Sequence, residues 1–140
     1  MVTVSEFSEK IPRCWSTRTS GKYTEHNPAR GQCSVTALVA QDCLGGDIVK
    51  TDVNGDWHFY NLIGGDRYDF TAKQFDGPID YQDKKSSRED AFSDTTIAQY
   101  EALSRNFSNV CYPPIQHLPL PQAGGARGGR ERSELPRQIT

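Results

Sequence analysis

The segment Ser34 to Leu44 sets apolar residues on nearly every side of a helix, with Val35, Leu38, Val39 and Leu44 interleaved with Ala37, Ala40 and Cys43. Such a helix has no face to give to water, so it runs through the middle of a domain with other elements packed around it. Gly45-Gly46 closes it, as glycine does at a helix C-terminus. The partners follow directly. Ile48 to Thr51 reads as a strand, Asn54-Gly55 is a hairpin signal, Asp56 to Ile63 is rich in aromatic and branched residues, and Gly64-Gly65 turns the chain into a strand over Arg67 to Ala72. The expected core is therefore one central helix on a small antiparallel sheet, a three-stranded meander.

Flanking helices complete it. Val4, Phe7 and Ile11 have helical spacing with Ser5 as a cap, and Tyr100, Leu103 and Phe107 share one face of a helix over 95–107. Helix, strands, then helix argues an α+β fold rather than a βαβ parallel sheet. Residues 14–31 and 76–90 read as polar loops, and a loop as long as the first is often functional.

Charge divides the 140 residues unevenly. Residues 112–140 hold five of the eight prolines, four of the twelve glycines, four Arg and two Glu, for a net charge of +2. They read as an extended, disordered tail with no apolar period to bury. Residues 1–111 form the expected single domain and carry 12 basic and 16 acidic groups, hence -4. A body of that sign is a poor electrostatic match for a phosphate backbone, so nucleic-acid binding by the domain is not expected. No apolar run approaches the roughly 20 residues that span a bilayer, and Met1 to Pro12 lacks a signal-peptide stretch. The expectation is a cytoplasmic protein with no membrane contact.

Without a secretory signal, Cys14, Cys33, Cys43 and Cys111 do not read as a disulfide framework. None is spaced as C-x-x-C, and His26, His58 and His117 are scattered, so no metal and no cofactor are expected. Cys33 and Cys43 stand ten positions apart on one helix, about 15 Å along its axis, too far for a redox pair.

Cys33 is the cysteine with chemistry available to it. Gly31-Gln32-Cys33 directly precedes the central helix, so Cys33 falls in its first turn or cap position. Unpaired backbone N–H groups and the positive end of the helix dipole there favour a thiolate over a thiol, and the thiolate is the nucleophile. The Cys33 N–H and the Gln32 amide could stabilise a developing oxyanion.

His58 and Asp69 lie on consecutive strands. A two-residue turn at Gly64-Gly65 sets Asp69 opposite Tyr60 and diagonal to His58; a turn centred on Ile63-Gly64 sets it directly opposite His58. A three-residue loop would put the two on opposite faces. With Cys33, the pair forms a nucleophile, a base and an orienting carboxylate. His26 is a second candidate base, but a loop orients a base less well than a strand. Tyr60, Asn61 and Trp15 could flank or cover a substrate, and their sizes and positions read rather as packing.

These residues carry a resemblance. Trp15-Ser16, Thr19-Ser20, Asn27-Pro28-Ala29-Arg30-Gly31-Gln32-Cys33, Thr36-Ala37-Leu38, Gly45-Gly46, His58 with Tyr60-Asn61, and Tyr68-Asp69-Phe70-Thr71 with Gln74-Phe75 resemble the YunG-like family of small bacterial proteins. The likeness covers about residues 14–107 and leaves the C-terminal arm outside. More distantly, the order Cys, His, Asp on helix, strand and strand is similar to the papain-like and transglutaminase-like superfamily. That resemblance implies a papain/transglutaminase-like core with a thiolate nucleophile at Cys33, a general base at His58 and an orienting Asp69.

The function expected on these grounds is thiol-dependent acyl transfer, most simply hydrolysis of an amide or thioester in a peptide, a protein or a small molecule. The alternative is a non-catalytic module of the same fold that holds a peptide or protein in its cleft or by its Pro/Arg-rich arm.

Overall fold

The computed structural model describes residues 2–113. Its first helix, α1 (Val4–Lys10), starts on a Thr-x-x-Glu capping box: the Glu6 N–H donates to Thr3 Oγ1, and Glu6 accepts from the Thr3 N–H. Thr3, not Ser5, is the cap, because only Thr3 has a glutamate three positions on to return the bond. A 3-10 turn (Ile11–Cys14) follows, and Phe7 and Ile11 are fully buried.

The central helix α2 (Cys33–Leu44) behaves as its composition demands. Every residue from Cys33 to Ala40 is buried. Phe59 and Ile48 from the sheet pack with Cys33, Ala37 and Leu38 of this helix and with Ala91. Asn61 donates from Nδ2 to the Ala37 carbonyl, anchoring the sheet to the helix backbone.

The sheet has four strands in the order β3-β2-β1-β4, all antiparallel. They are β1 (Asp47–Val53), β2 (Asp56–Ile63), β3 (Asp66–Tyr68) and β4 (Lys84–Lys85). The fourth strand lies in the stretch expected to be loop. Two lysines offer no apolar alternation to read, and they suit an exposed edge. Asn61 faces Tyr68, Leu62 faces Arg67 and Ile63 faces Asp66, which is the register of a two-residue turn at Gly64-Gly65.

The third strand is shorter than its sequence suggests, ending at Tyr68 instead of continuing to Ala72. Asp69 is therefore not a strand residue. Its Oδ1 accepts the Thr71 N–H at 3.2 Å, and a 3-10 turn (Ala72–Gln74) begins there. An aspartate that bonds its own downstream backbone offers the chain an alternative to sheet pairing, and here the alternative wins.

Helix α3 (Arg88–Phe92) also lies across the end of the expected loop, capped by Ser87, whose hydroxyl accepts the Asp90 N–H. Helix α4 (Ile97–Cys111) starts two residues later than expected because Thr96 and Gln99 form a reciprocal cap. Residues 2–107 make one compact unit. Apart from Tyr112 and Pro113, the expected tail lies outside the described residues. Among the described residues, no helix is long and apolar enough to cross a membrane.

Candidate functional site

Cys33 is the first residue of α2, with Gln32 in the cap position. Gly31, Gln32 and the preceding loop hold it there. The Gly31 N–H donates to Gln74 Oε1, and Asn27 Nδ2 donates to the Gln74 carbonyl. Gln74 thus ties the loop that delivers Cys33 to the turn that follows Asp69. Cys33 is a thiol, 8% exposed. Its own N–H sits in the first helical turn, where no intrahelical acceptor exists.

His58 comes from the middle of β2 and is 2% exposed. Its Nε2 lies 2.7 Å from Asp69 Oδ2. Facing a carboxylate, that nitrogen keeps its hydrogen in either charge state, so the neutral ring presents Nδ1 as the acceptor. Nδ1 is buried and makes no hydrogen bond of ordinary geometry. Cys33 lines the same cleft and is among the groups that favour the charged ring. Burial alone would drive the imidazole neutral, but the hydrogen bond and charge of Asp69, with a further contribution from Cys33, outweigh it and push the group up to about 9.

Asp69 is itself well supplied. Its side chain is 5% exposed, and Oδ2 accepts from both His58 and the Tyr81 hydroxyl, the latter at 2.8 Å. Phe75 meets the His58 ring edge-on at 4.8 Å, and Tyr60 stacks beside it along the strand at 5.9 Å.

Cys33 and His58 open on a cleft of about 480 Å³. Val53, Phe59 and Phe75 supply apolar walls, and Trp57, 45% exposed, stands among them with the Lys50 ammonium over its ring. Lys22 and Arg30 line it with one sign of charge and Asp56, Asp90 and Asp94 with the other. Asp90 is paired with Lys50 at 2.6 Å.

The remaining candidates lie elsewhere. Gln32 is fully buried and does not line the cleft; its Oε1 accepts from Thr19 Oγ1 at 2.8 Å, and its Nε2 has no partner. His26 is exposed on its loop and does not line the cleft. Trp15 is buried, with its indole N–H on Thr36 Oγ1. The Tyr60 hydroxyl and the Asn61 amide are spent on Asp83 and on the Ala37 carbonyl. Tyr81 and Gln74 were not among the expected site residues. Tyr81 sits in a stretch without periodicity, and only its residue type could have marked it. Among the described residues, no group of three or more His, Cys, Asp or Glu could hold a metal ion.

Comparison with known proteins agrees with the sequence resemblance. The family model described as YunG protein matches residues 3–112. The chain is also similar to the protein titled "Uncharacterized protein YunG" of Bacillus subtilis (strain 168), at 54% identity over 98 residues, covering 70% of this chain and 85% of that protein. No solved structure matches. A match that takes in Cys33, His58, Asp69 and nearly all of the described fold places the chain in one family: it belongs to the YunG family.

Proposed function

We propose that the protein is a thiol-dependent acyl-transfer enzyme that hydrolyses an amide or thioester, with Cys33 as nucleophile, His58 as base and Asp69 as orienter. The observation that carries this reading is the contact of Asp69 Oδ2 with His58 Nε2, which leaves the buried His58 Nδ1 without a hydrogen bond in the cleft that Cys33 also lines at the head of α2. The same order of residues, with Cys33 opening a helix, His58 on a strand and Asp69 just beyond the next, supports a papain/transglutaminase-like core.

In this mechanism the Cys33 proton has passed to His58 Nδ1 before the substrate is attacked, in keeping with the raised proton affinity of that ring, and the sulfur forms a bond to the substrate carbonyl carbon. The carbonyl oxygen gains the displaced electron pair and is met by the Cys33 N–H. His58 then gives its proton to the leaving amine or thiol as that bond breaks, leaving a thioester on Cys33. Water, deprotonated by His58, cleaves the thioester, releases a carboxylic acid and restores the thiol. Gln32 is the second oxyanion donor in this scheme, on the strength of its unused Nε2 hydrogens. It is fully buried, so it must turn its amide toward the cleft, and the backbone N–H carries the larger share.

The test is site-resolved alkylation of Cys33 by iodoacetamide as a function of pH. The enzyme reading expects modification well below pH 8, lost in His58→Ala, and capture of an acyl group from the natural substrate on Cys33 but not in Cys33→Ser. Slow modification at every pH, unchanged in His58→Ala, would instead leave a binding module.

A further inference from the structure

Asp69 Oδ2 accepts two hydrogens, one from His58 Nε2 at 2.7 Å and one from the Tyr81 hydroxyl at 2.8 Å. The other oxygen has only the longer bonds from the Thr71 N–H and hydroxyl, at 3.2 and 3.4 Å. The charge that holds the imidazole is therefore shared at one atom with a phenol. We infer that Tyr81 is a positioning residue of the site, whose hydroxyl shares the Asp69 oxygen that binds His58 and so governs how firmly that imidazole keeps its proton. The inference deepens the acyl-transfer reading and rests on it for its functional meaning.

Tyr81 is placed as such a residue must be. The Arg67 guanidinium lies over its ring, 4.6 Å from the centroid, and the Tyr60 ring meets it edge-on at 4.9 Å. Its segment is bound to the sheet on both sides. Thr51 Oγ1 donates to the Asp80 carbonyl and accepts the Gln82 N–H, while the Asp83 carboxylate takes a bidentate pair from Arg67 at 2.9 and 2.7 Å. Burial, and then the Asp69 carboxylate, hold the Tyr81 hydroxyl protonated far above its ordinary range, so it remains a donor wherever His58 titrates.

The charged and titratable groups around the imidazole are Cys33 from α2, Asp69 beyond β3, Tyr60 on its own strand and, through Asp69, Tyr81. Removing the phenol hydrogen leaves a buried carboxylate with one donor fewer. It must draw more stabilisation from the imidazolium, which raises the proton affinity of His58. Loss of a merely structural contact would do the opposite, by loosening Asp69.

The experiment is the titration of the His58 ring followed by NMR in the full chain, with His58→Ala to assign the signal. In Tyr81→Phe the ring contacts with Arg67 and Tyr60 are kept, and the midpoint should rise by about half to one pH unit, about three- to tenfold in affinity. Site-specific 3-fluorotyrosine at position 81 is a stronger donor of the same shape and should lower the midpoint, which keeps the test available should Tyr81→Phe not fold. An unchanged midpoint in either variant, or a fall in Tyr81→Phe, overturns the inference. The titration uses no substrate. An inert Cys33 would therefore sink the acyl-transfer reading and leave the sharing of Asp69 standing, whereas a reactive Cys33 with an indifferent His58 midpoint would do the reverse.

Discussion

His58 Nε2 and Asp69 Oδ2 lie 2.7 Å apart, with both side chains almost wholly withdrawn from water. The contact is made by a two-residue turn that sets the register and by an aspartate that leaves the strand to bond its own backbone. The carboxylate supplies the buried imidazole with the opposite charge and the hydrogen-bond acceptor that withdrawal from water takes from it.

The pair makes stability depend on pH in a definite direction. The His58 imidazole is raised from its ordinary 6.5 to about 9. Its stabilisation is therefore fully present below about pH 6.5 and is lost as pH rises through about 9. The span corresponds to about 3 kcal/mol at most. Denaturant unfolding of the wild type between pH 6 and pH 10 should show a decline of that order, and Asp69→Asn should remove most of it. Parallel wild-type and Asp69→Asn profiles over this range would contradict the assignment.

Gly31 is the second sensitive point, two residues before Cys33. Its φ is +73°, and a Cβ there would stand 2.4 Å from Ser20 Oγ and 3.0 Å from Lys22 Cβ. Gly31→Ala therefore meets left-handed strain and a clash together. The expected cost is about 1–3 kcal/mol in urea unfolding, from the strained backbone alone. A variant as stable as the wild type would show that the loop can open without consequence.

Gln74 joins the two halves of the site through three bonds. Its Oε1 accepts the Gly31 N–H, its carbonyl accepts Asn27 Nδ2, and its Nε2 donates to Thr71 Oγ1. Gln74→Ala deletes the two side-chain bonds and should cost about 1–3 kcal/mol. Amide exchange should quicken at Gly31 and Thr71 together. Faster exchange at only one of them would mean that the loop and the turn are held independently.

Much of this site is legible in the sequence. Cys33 was placed at the helix start by the apolar run after it and the glycine before it, signals local to the chain. The His58–Asp69 contact followed from strand alternation and Gly64-Gly65, even though Asp69 itself lies beyond the strand. Tyr81 and Gln74 were not legible, because each acts through a contact with a residue distant in sequence and sits in a stretch without periodicity. The fourth strand escaped for a related reason: Lys84 and Lys85 pair with β1 through main-chain atoms, which their side chains do not advertise.

The two tryptophans separate the core from the cleft in a single measurement. Trp15 is 8% exposed and donates its indole N–H to Thr36 Oγ1 at 2.9 Å, while Trp57 is 45% exposed at the cleft. Trp57→Phe should leave a blue-shifted emission that iodide quenches poorly, and Trp15→Phe should leave a red-shifted, quenchable one. Trp15→Phe also strands the Thr36 hydroxyl in the core and leaves a gap in place of the larger ring, at about 1–3 kcal/mol. Thr36→Val removes the other partner at nearly the same volume. If the hydrogen bond is the main term, the double variant Trp15→Phe/Thr36→Val should be less destabilised than the two single costs added together. Strict additivity would assign the loss to ring volume alone.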